Sequence, residues 1–337
     1  MDDEASDSKK ISNLEQITTS IEVRKFGKPI LNLAELGYLS IRNPSAFIYK
    51  DKIGLLYTVR TSQQKSALHL AWSKNGKDFN LEHKPFIRQD SDSQLATEDA
   101  RITKIKDEYW INFTSVKEIS PEGNCVLRIG HAKTKDFKTH YYRQIILDGK
   151  RENKNSLFFK NGKYYFVVDR PFMKDINETP GAEIAEVKRI NPLVLGEPQP
   201  YLFPTQNPWE NARVGINTPP IRIKHETYGN CLFMLYHGAR KNPKIYSMGY
   251  IIAEEKNPLK ILERSKEPLI TPELNFEKGT GVYSPEIPNV IFGCGAVPIS
   301  NNTLRFYYSG ADKYPSFADI TLHNAEIIDE IFNPKTS

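Results

Sequence analysis

The chain has 337 residues, 39% hydrophobic, 26% charged and 11% aromatic, with a formal net charge of +5. The aromatic content excludes a disordered chain, and no run approaches the ~18 apolar residues of a membrane span. The 46 basic and 41 acidic residues are mixed along the chain, without the basic block a nucleic-acid binder concentrates.

The start of the chain, polar and acidic over residues 1–18, is unlike a secretory or transit leader and reads as a mobile tail. It is followed by a lone strand, SIEVRKFGKPIL. Helical periodicity is nearly absent beyond it. Short alternating runs rich in Val, Ile, Tyr and Phe recur instead, separated by turn signals such as Asn-Gly and Lys-Asp. Five such hairpins start at residues 45, 100, 156, 220 and 296. Most are followed by a second, more amphipathic hairpin: ALHLAWSKNGKDFNLE, VLRIGHAKTKDFKTHYY, EIAEVKRINPLVLGE and SMGYIIAEEKNPLKILE. Two hairpins make a four-stranded unit that cannot bury its own faces, and radial stacking of units solves that. The pattern predicts an all-β protein, a five-bladed β-propeller with four-stranded blades, as a single domain over residues 19–337. The last unit ends short, with ADITLHNAEII, and SIEVRKFGKPIL is expected to complete it. Both termini then close the ring and leave no open edge. A two-domain β-sandwich is the competing architecture. Cys125, Cys231 and Cys294 lie far apart without metal-binding spacing, and fit free thiols of the reducing cytoplasm.

In a propeller the ends of the innermost strands line a channel mouth. Unit one offers Asn43, Ser45 and Arg60 there, and unit two Glu98, Asp99 and Arg101. Unit three offers Lys154, Asp169 and Arg170, unit four His237, and unit five Asp312. Singly, each has an ordinary structural explanation: Asp99 capping a turn with Arg101 beside it, His237 packed in a core, arginines solvated at strand ends. Their repetition at equivalent places points to a pocket for a polyhydroxylated ligand plus an anion. The chain carries no metal-ligand spacing, nucleophile elbow, phosphate-cradling glycine loop or dinucleotide fingerprint. Neither a metal nor a cofactor is expected, and acid-assisted group transfer to a bound anion is the chemistry that remains.

Several marks stand in a consistent order: Asn43-Pro44-Ser45-Ala46, Glu98-Asp99-Ala100-Arg101, NKNSLFFKNGKYYFVVDRP, Tyr236-His237-Gly238, Tyr246-Ser247-Met248-Gly249, Asn289-Val290-Ile291-Phe292, and YYSGAD ending at Asp312. Together they resemble glycoside hydrolase family 130, the β-mannoside phosphorylases, whose members are five-bladed propellers. The resemblance implies that Asp99 is the catalytic acid, protonating the glycosidic oxygen through the 3-hydroxyl of the mannose it holds. Inorganic phosphate then attacks the anomeric carbon from the opposite face, giving α-mannose 1-phosphate with inversion. It further implies Lys154, Arg170, His237 and Tyr246 at the phosphate, and Asn43, Ser45, Arg60, Arg101 and Asp312 at the mannosyl unit.

Phosphate carries its own negative charge, so one acid and several cations suffice, whereas water as nucleophile needs a second carboxylate as base. Glu210 and Glu277 are the candidate bases of a hydrolytic variant. The expected partners are a β-1,2- or β-1,4-linked manno-oligosaccharide and phosphate as co-substrate, with neither nucleic acid nor membrane; a homo-oligomeric state is left open. The alternatives on the same scaffold are an inverting β-mannosidase, a β-mannosyltransferase using a nucleotide sugar or mannose 1-phosphate, and a non-catalytic binding propeller.

Overall fold

A computed structural model of the chain describes residues 19–61, 65–89, 94–118, 125–147, 152–172 and 181–332. The tail expected over residues 1–18 lies outside the described residues. Strand β1 (Ile21–Lys25) is followed by β2 (Ser40–Tyr49), β3 (Lys52–Arg60), β4 (Ser66–Ser73) and β5 (Asn80–Leu81). Next come β6 (Gln94–Ile105), β7 (Glu108–Glu118), β8 (Cys125–Thr134) and β9 (Tyr141–Leu147). A third run holds β10 (Glu152–Asn161), β11 (Tyr164–Phe172), β12 (Ala182–Arg189), β13 (Val194–Leu195) and β14 (Gln199–Leu202). A fourth holds β15 (Arg213–Ile216), β16 (Ile221–His225), β17 (Gly229–Arg240), β18 (Ile245–Glu254) and β19 (Ile261–Arg264). The order ends with β20 (Ile291–Pro298), β21 (Thr303–Gly310), β22 (Tyr314–Leu322) and β23 (Ala325–Ile327). The protein is all-β. Among the described residues no helix is long and apolar enough to cross a membrane.

Antiparallel pairing collects the strands into five consecutive groups: β2–β5, β6–β9, β10–β14, β15–β19 and β20–β22. A parallel bridge between Ser66 and Ala96 joins the first two into one hydrogen-bonded sheet. The leading hairpins of the first three groups turn alike. Two-residue loops join Tyr49 to Lys52, Ile105 to Glu108 and Asn161 to Tyr164, each led by a residue of positive φ (Lys50, Lys106, Gly162). As expected, the N-terminal strand joins the last group, β1 pairing with β22 from Ile21↔Leu322 to Lys25↔Ala318. The C-terminal stretch departs from expectation. ADITL belongs to β22, but β23 leaves that group and pairs with β16 of the fourth, which covers an otherwise open edge.

Alternating aromatic and aliphatic residues bury both faces of most strands, because each group packs on two others. Phe47 and Leu70 of the first group share a core with Ile111 and Phe113 of the second. Trp110 of the second meets Phe158 and Val167 of the third, and Phe166 of the third meets Met234 and Tyr236 of the fourth. Phe233 and Tyr250 of the fourth pack on Phe306 and Tyr308 of the last. The last returns to the first, where Tyr307 and Phe317 meet Leu55 and Tyr57. Each such fully buried side chain stabilises by roughly 1.5–3 kcal/mol relative to exposure. Cys125, Cys231 and Cys294 form no disulfide.

Candidate active site

The site starts from a repeated irregularity. The leading strands β2, β6 and β10 each carry a bulge, between Arg42 and Ser45, Glu98 and Arg101, and Lys154 and Leu157. Each bulge contains one residue in the left-handed region: Asn43 (φ 53°), Asp99 (φ 57°) and Asn155 (φ 55°). Asn and Asp are the non-glycine residues that enter this region most readily, so the repeated Asn/Asp is a backbone requirement as well as a chemical one. Strand β20 bulges at the matching place, between Phe292 and Gly295, where a Cβ on Gly293 would lie 2.0 Å from the Tyr307 carbonyl oxygen. In the fourth group the prolines 219 and 220 interrupt the strand, and β15 and β16 both pair with β17. Asn217 sits at that break. Its Nδ2 donates to the Gly293 carbonyl at 2.6 Å, while its Oδ1 accepts from the His237 backbone N–H at 2.9 Å.

These irregularities surround a cavity of about 160 Å³ lined by Asn43, Asp99, Lys154, Asn155, Arg170, Arg213, His237, Tyr246, Ile287, Val290, Phe292 and Asp312. The volume suits a small polar group better than a whole oligosaccharide. Seven of the expected site residues are thus brought together: Asn43, Asp99, Lys154, Arg170, His237, Tyr246 and Asp312. Three are not part of the lining. Ser45 Oγ accepts from the Ile102 backbone N–H at 3.2 Å, Arg101 Nη1 donates to the Asp99 carbonyl at 2.8 Å, and Arg60 Nη1 donates to Glu286 Oε1 at 2.6 Å. A larger cavity of about 650 Å³ opens toward the C-terminal ends of β2, β6, β10 and β20 and the N-terminal end of β16, and none of the expected site residues lines it.

The electrostatics divide the small cavity. Asn43 Nδ2 donates to Asp99 Oδ1 at 2.6 Å. Burial raises the Asp312 carboxyl to about 7, with Arg42 opposing the shift and Asp99, Glu286 and Glu98 adding to it. Among the cations, Arg170 rests on an uncharged partner, its Nη2 donating to Asn155 Oδ1 at 3.1 Å. Burial, then repulsion from Arg213 and Arg101, lowers it to about 10. Burial also opposes the Lys154 ammonium, but Glu98 and Asp99 outweigh it and hold its pKa above the ordinary value. His237 is driven well below its usual pKa by burial and by Arg170, Arg101 and Arg213. Its Nδ1 lies 2.6 Å from Asn217 Oδ1, an acceptor, which places the single proton of the neutral ring on Nδ1. Asp169, next to Arg170, is absent from the lining, and its Oδ2 lies within 2.9 Å of the Asn153 side-chain amide.

Sequence reasoning missed Arg42, Asn155, Arg213, Asn217 and Glu286. Arg42 pairs with Glu98 (3.0 Å), Glu286 (2.8 Å) and Asp312 (3.1 Å). A signal for two of them was present. Asn43, Asp99, Asn155 and Asn217 recur at one position of four repeats, each just ahead of the hairpin core.

Both candidate hydrolytic bases turn out to be structural. Glu210 accepts from Thr205 Oγ1 (2.7 Å) and the Tyr236 hydroxyl (2.6 Å) and pairs with Arg264 Nη2 (2.6 Å). Glu277 accepts from the Tyr308 hydroxyl (2.6 Å), Lys25 Nζ (2.8 Å) and the backbone N–H groups of Glu273 (2.8 Å) and Leu274 (2.9 Å). Neither lines the cavity.

A family model for glycoside hydrolase family 130, described as β-1,4-mannooligosaccharide phosphorylase, matches residues 34–331. The chain is 32% identical to a 1,2-β-oligomannan phosphorylase of Thermoanaerobacter sp. (strain X514), over 73% of this chain and 76% of that protein. It is 31% identical to a β-1,2-mannobiose phosphorylase of Listeria innocua serovar 6a, over 79% of this chain and 69% of that one. The solved structure of β-1,2-mannobiose phosphorylase from Listeria innocua, in complex with β-1,2-mannobiose, shares the fold. It superposes with a TM-score of 0.73 at 23% identity, covering 89% of this chain and 97% of that one. The chain belongs to glycoside hydrolase family 130 and is an enzyme of the mannoside phosphorylase class.

Proposed function

We propose that the protein cleaves β-mannosides with inorganic phosphate to give α-mannose 1-phosphate with inversion, reversibly. The observation that carries this reading is the state of Arg170. It is a buried cation beside Arg213 whose side-chain partner is an amide oxygen, and an incoming anion would supply the missing negative charge. Lys154, Arg213, His237 and Tyr246 complete the anion's surroundings, with Asn155 fixing Arg170. Asp99 is read as the proton donor, and Asn43, Ser45, Arg60, Arg101 and Asp312 as the groups that hold the mannosyl unit directly or from behind. One phosphate oxygen forms a bond to the anomeric carbon as the bond from that carbon to the glycosidic oxygen breaks. The leaving oxygen takes the proton of the sugar 3-hydroxyl, which Asp99 replaces. The structural engagement of Glu210 and Glu277 supports phosphate over water as nucleophile, because neither is available as a base.

The names of the two curated relatives support a β-1,2 linkage in the substrate. The five strand groups, each sharing cores with two others, support a five-bladed propeller over residues 19–337 with the site at one mouth of its channel. Incubation with β-1,2-mannobiose, with and without phosphate, tests the function. Mannose 1-phosphate formed only with phosphate is expected. Equal release of free mannose in phosphate-free buffer would overturn the reading.

A further inference from the structure

One chain of charges links the anion-facing and sugar-facing parts of the cavity. The two oxygens of Glu98 meet different cations: Oε1 accepts from Lys154 Nζ at 3.3 Å and Oε2 from Arg42 Nη2 at 3.0 Å. Arg42 Nη1 is shared between Asp312 Oδ2 at 3.1 Å and Glu286 Oε1 at 2.8 Å. Glu286 in turn accepts from Arg60. Alternating charge thus runs Lys154–Glu98–Arg42–Asp312. Both ends of this line reach the cavity, and its two middle members do not. The middle members are largely shielded, with side-chain exposures of 14% for Arg42 and 11% for Glu98, so solvent screens their exchange of partners weakly. A ligand that takes one end must release a partner further along. Without such a release, a carboxylate on Lys154 would simply compete with an arriving anion.

Resting on the phosphorylase reading, we propose that phosphate and the mannosyl unit bind cooperatively through the Glu98–Arg42 pair, with Glu98 the resident counter-ion of Lys154 until phosphate arrives. Phosphate on Lys154 releases Glu98 to Arg42. Arg42, neutralised by Glu98 and Glu286, then loosens its hold on Asp312, whose carboxyl becomes free to hydrogen-bond a sugar hydroxyl. In the other direction, a sugar on Asp312 lets Arg42 draw Glu98, and Lys154 is left for phosphate. Linkage makes the two effects equal in size. The remaining charges that bear on this line are Asp99, which favours both cations, and Arg170, which opposes the charge on Lys154.

The test is calorimetric titration of inorganic phosphate into the full chain, with and without saturating mannose. Wild-type protein is expected to bind phosphate at least about fivefold more tightly when mannose is present. In Glu98→Gln, phosphate alone should bind several-fold more tightly than to wild type, and mannose should add nothing. Arg42→Lys keeps a cation but not the fork that spans Glu98 and Asp312, so phosphate should bind without the mannose effect. Phosphate affinity in wild type that is indifferent to mannose, or wild-type coupling in Glu98→Gln, overturns this inference and leaves phosphorolysis standing. Absence of both phosphate binding and phosphate-dependent turnover overturns the two together. The variants act on different links, so misfolding of one leaves the other, and the wild-type titration, to decide.

Discussion

Asn43 Nδ2 donates to Asp99 Oδ1 at 2.6 Å, and both residues occupy left-handed backbone at matching bulges of neighbouring strands. The Asp99 backbone is held on either side as well: its N–H donates to Thr58 Oγ1 at 3.1 Å and its carbonyl accepts from Arg101 at 2.8 Å. One carboxylate oxygen is committed to Asn43, and Asp99 lines the cavity.

Asp99→Asn should lower kcat for phosphorolysis by about 10²–10⁴-fold, since an amide cannot donate the proton, while the melting temperature changes little. Asn43→Ala should cost about tenfold or more in kcat by loosening Asp99, with the KM for phosphate nearly unchanged. Release of mannose 1-phosphate from β-1,2-mannobiose measures both. An Asp99→Asn enzyme with near wild-type turnover would remove Asp99 from the role.

Arg170→Ala and Arg213→Ala should act on the other substrate. Each is expected to raise the KM for phosphate by about tenfold or more, the scale of a charge-assisted hydrogen bond lost from a buried site. The KM for the mannoside should move by less than about twofold when uniform binding of phosphate alone is lost. Steady-state kinetics with both substrates varied gives the comparison, and an equal effect on both KM values would count against an anion site here.

Glu210→Gln and Glu277→Gln should reduce stability rather than the chemistry. Each breaks a buried ion pair, Glu210 with Arg264 and Glu277 with Lys25, at a cost of about 3 kcal/mol or more. Denaturant melts should show that loss, while kcat per folded molecule stays within about threefold. Loss of turnover with stability intact would reopen the hydrolytic reading.

The Asp312 carboxyl, raised to about 7 from an ordinary 3.8, makes stability depend on pH. The folded protein holds this proton more tightly than the unfolded chain. The stability it contributes is therefore full below about pH 4 and is lost as pH rises through 7. Asp312→Asn should abolish that dependence, melting a few degrees above wild type at pH 8 with the gain shrinking toward pH 4. A constant offset in melting temperature across that range would contradict the assignment.

Much of the strand order was legible because period-two alternation, turn residues and aromatic content all point the same way. The leading hairpins and the completion of the last group by β1 follow from those local signals. The placement of β23 did not, since AEI reads equally well as the end of any unit. It goes to β16 because that strand's free edge lies within reach. Within the site, Asn43, Asp99, Lys154, Arg170, His237, Tyr246 and Asp312 were legible as candidates and line one cavity, whereas Ser45, Arg60 and Arg101, named by the same reading, do not.

By itself the sequence determined an all-β chain of repeated strand groups and one position, in four of the repeats, that holds Asn or Asp. Backbone alternation and turn chemistry act over a few residues, so these are written locally. Only the tertiary structure decided which charges belong together. Arg42 meets Asp312 across 270 positions of chain, and Lys25 meets Glu277 across 252. A carboxylate's role depends on such partners. Glu277, satisfied by a lysine, a tyrosine and two backbone N–H groups, is a structural anchor, whereas Asp99, bound through one oxygen to Asn43, lines the cavity.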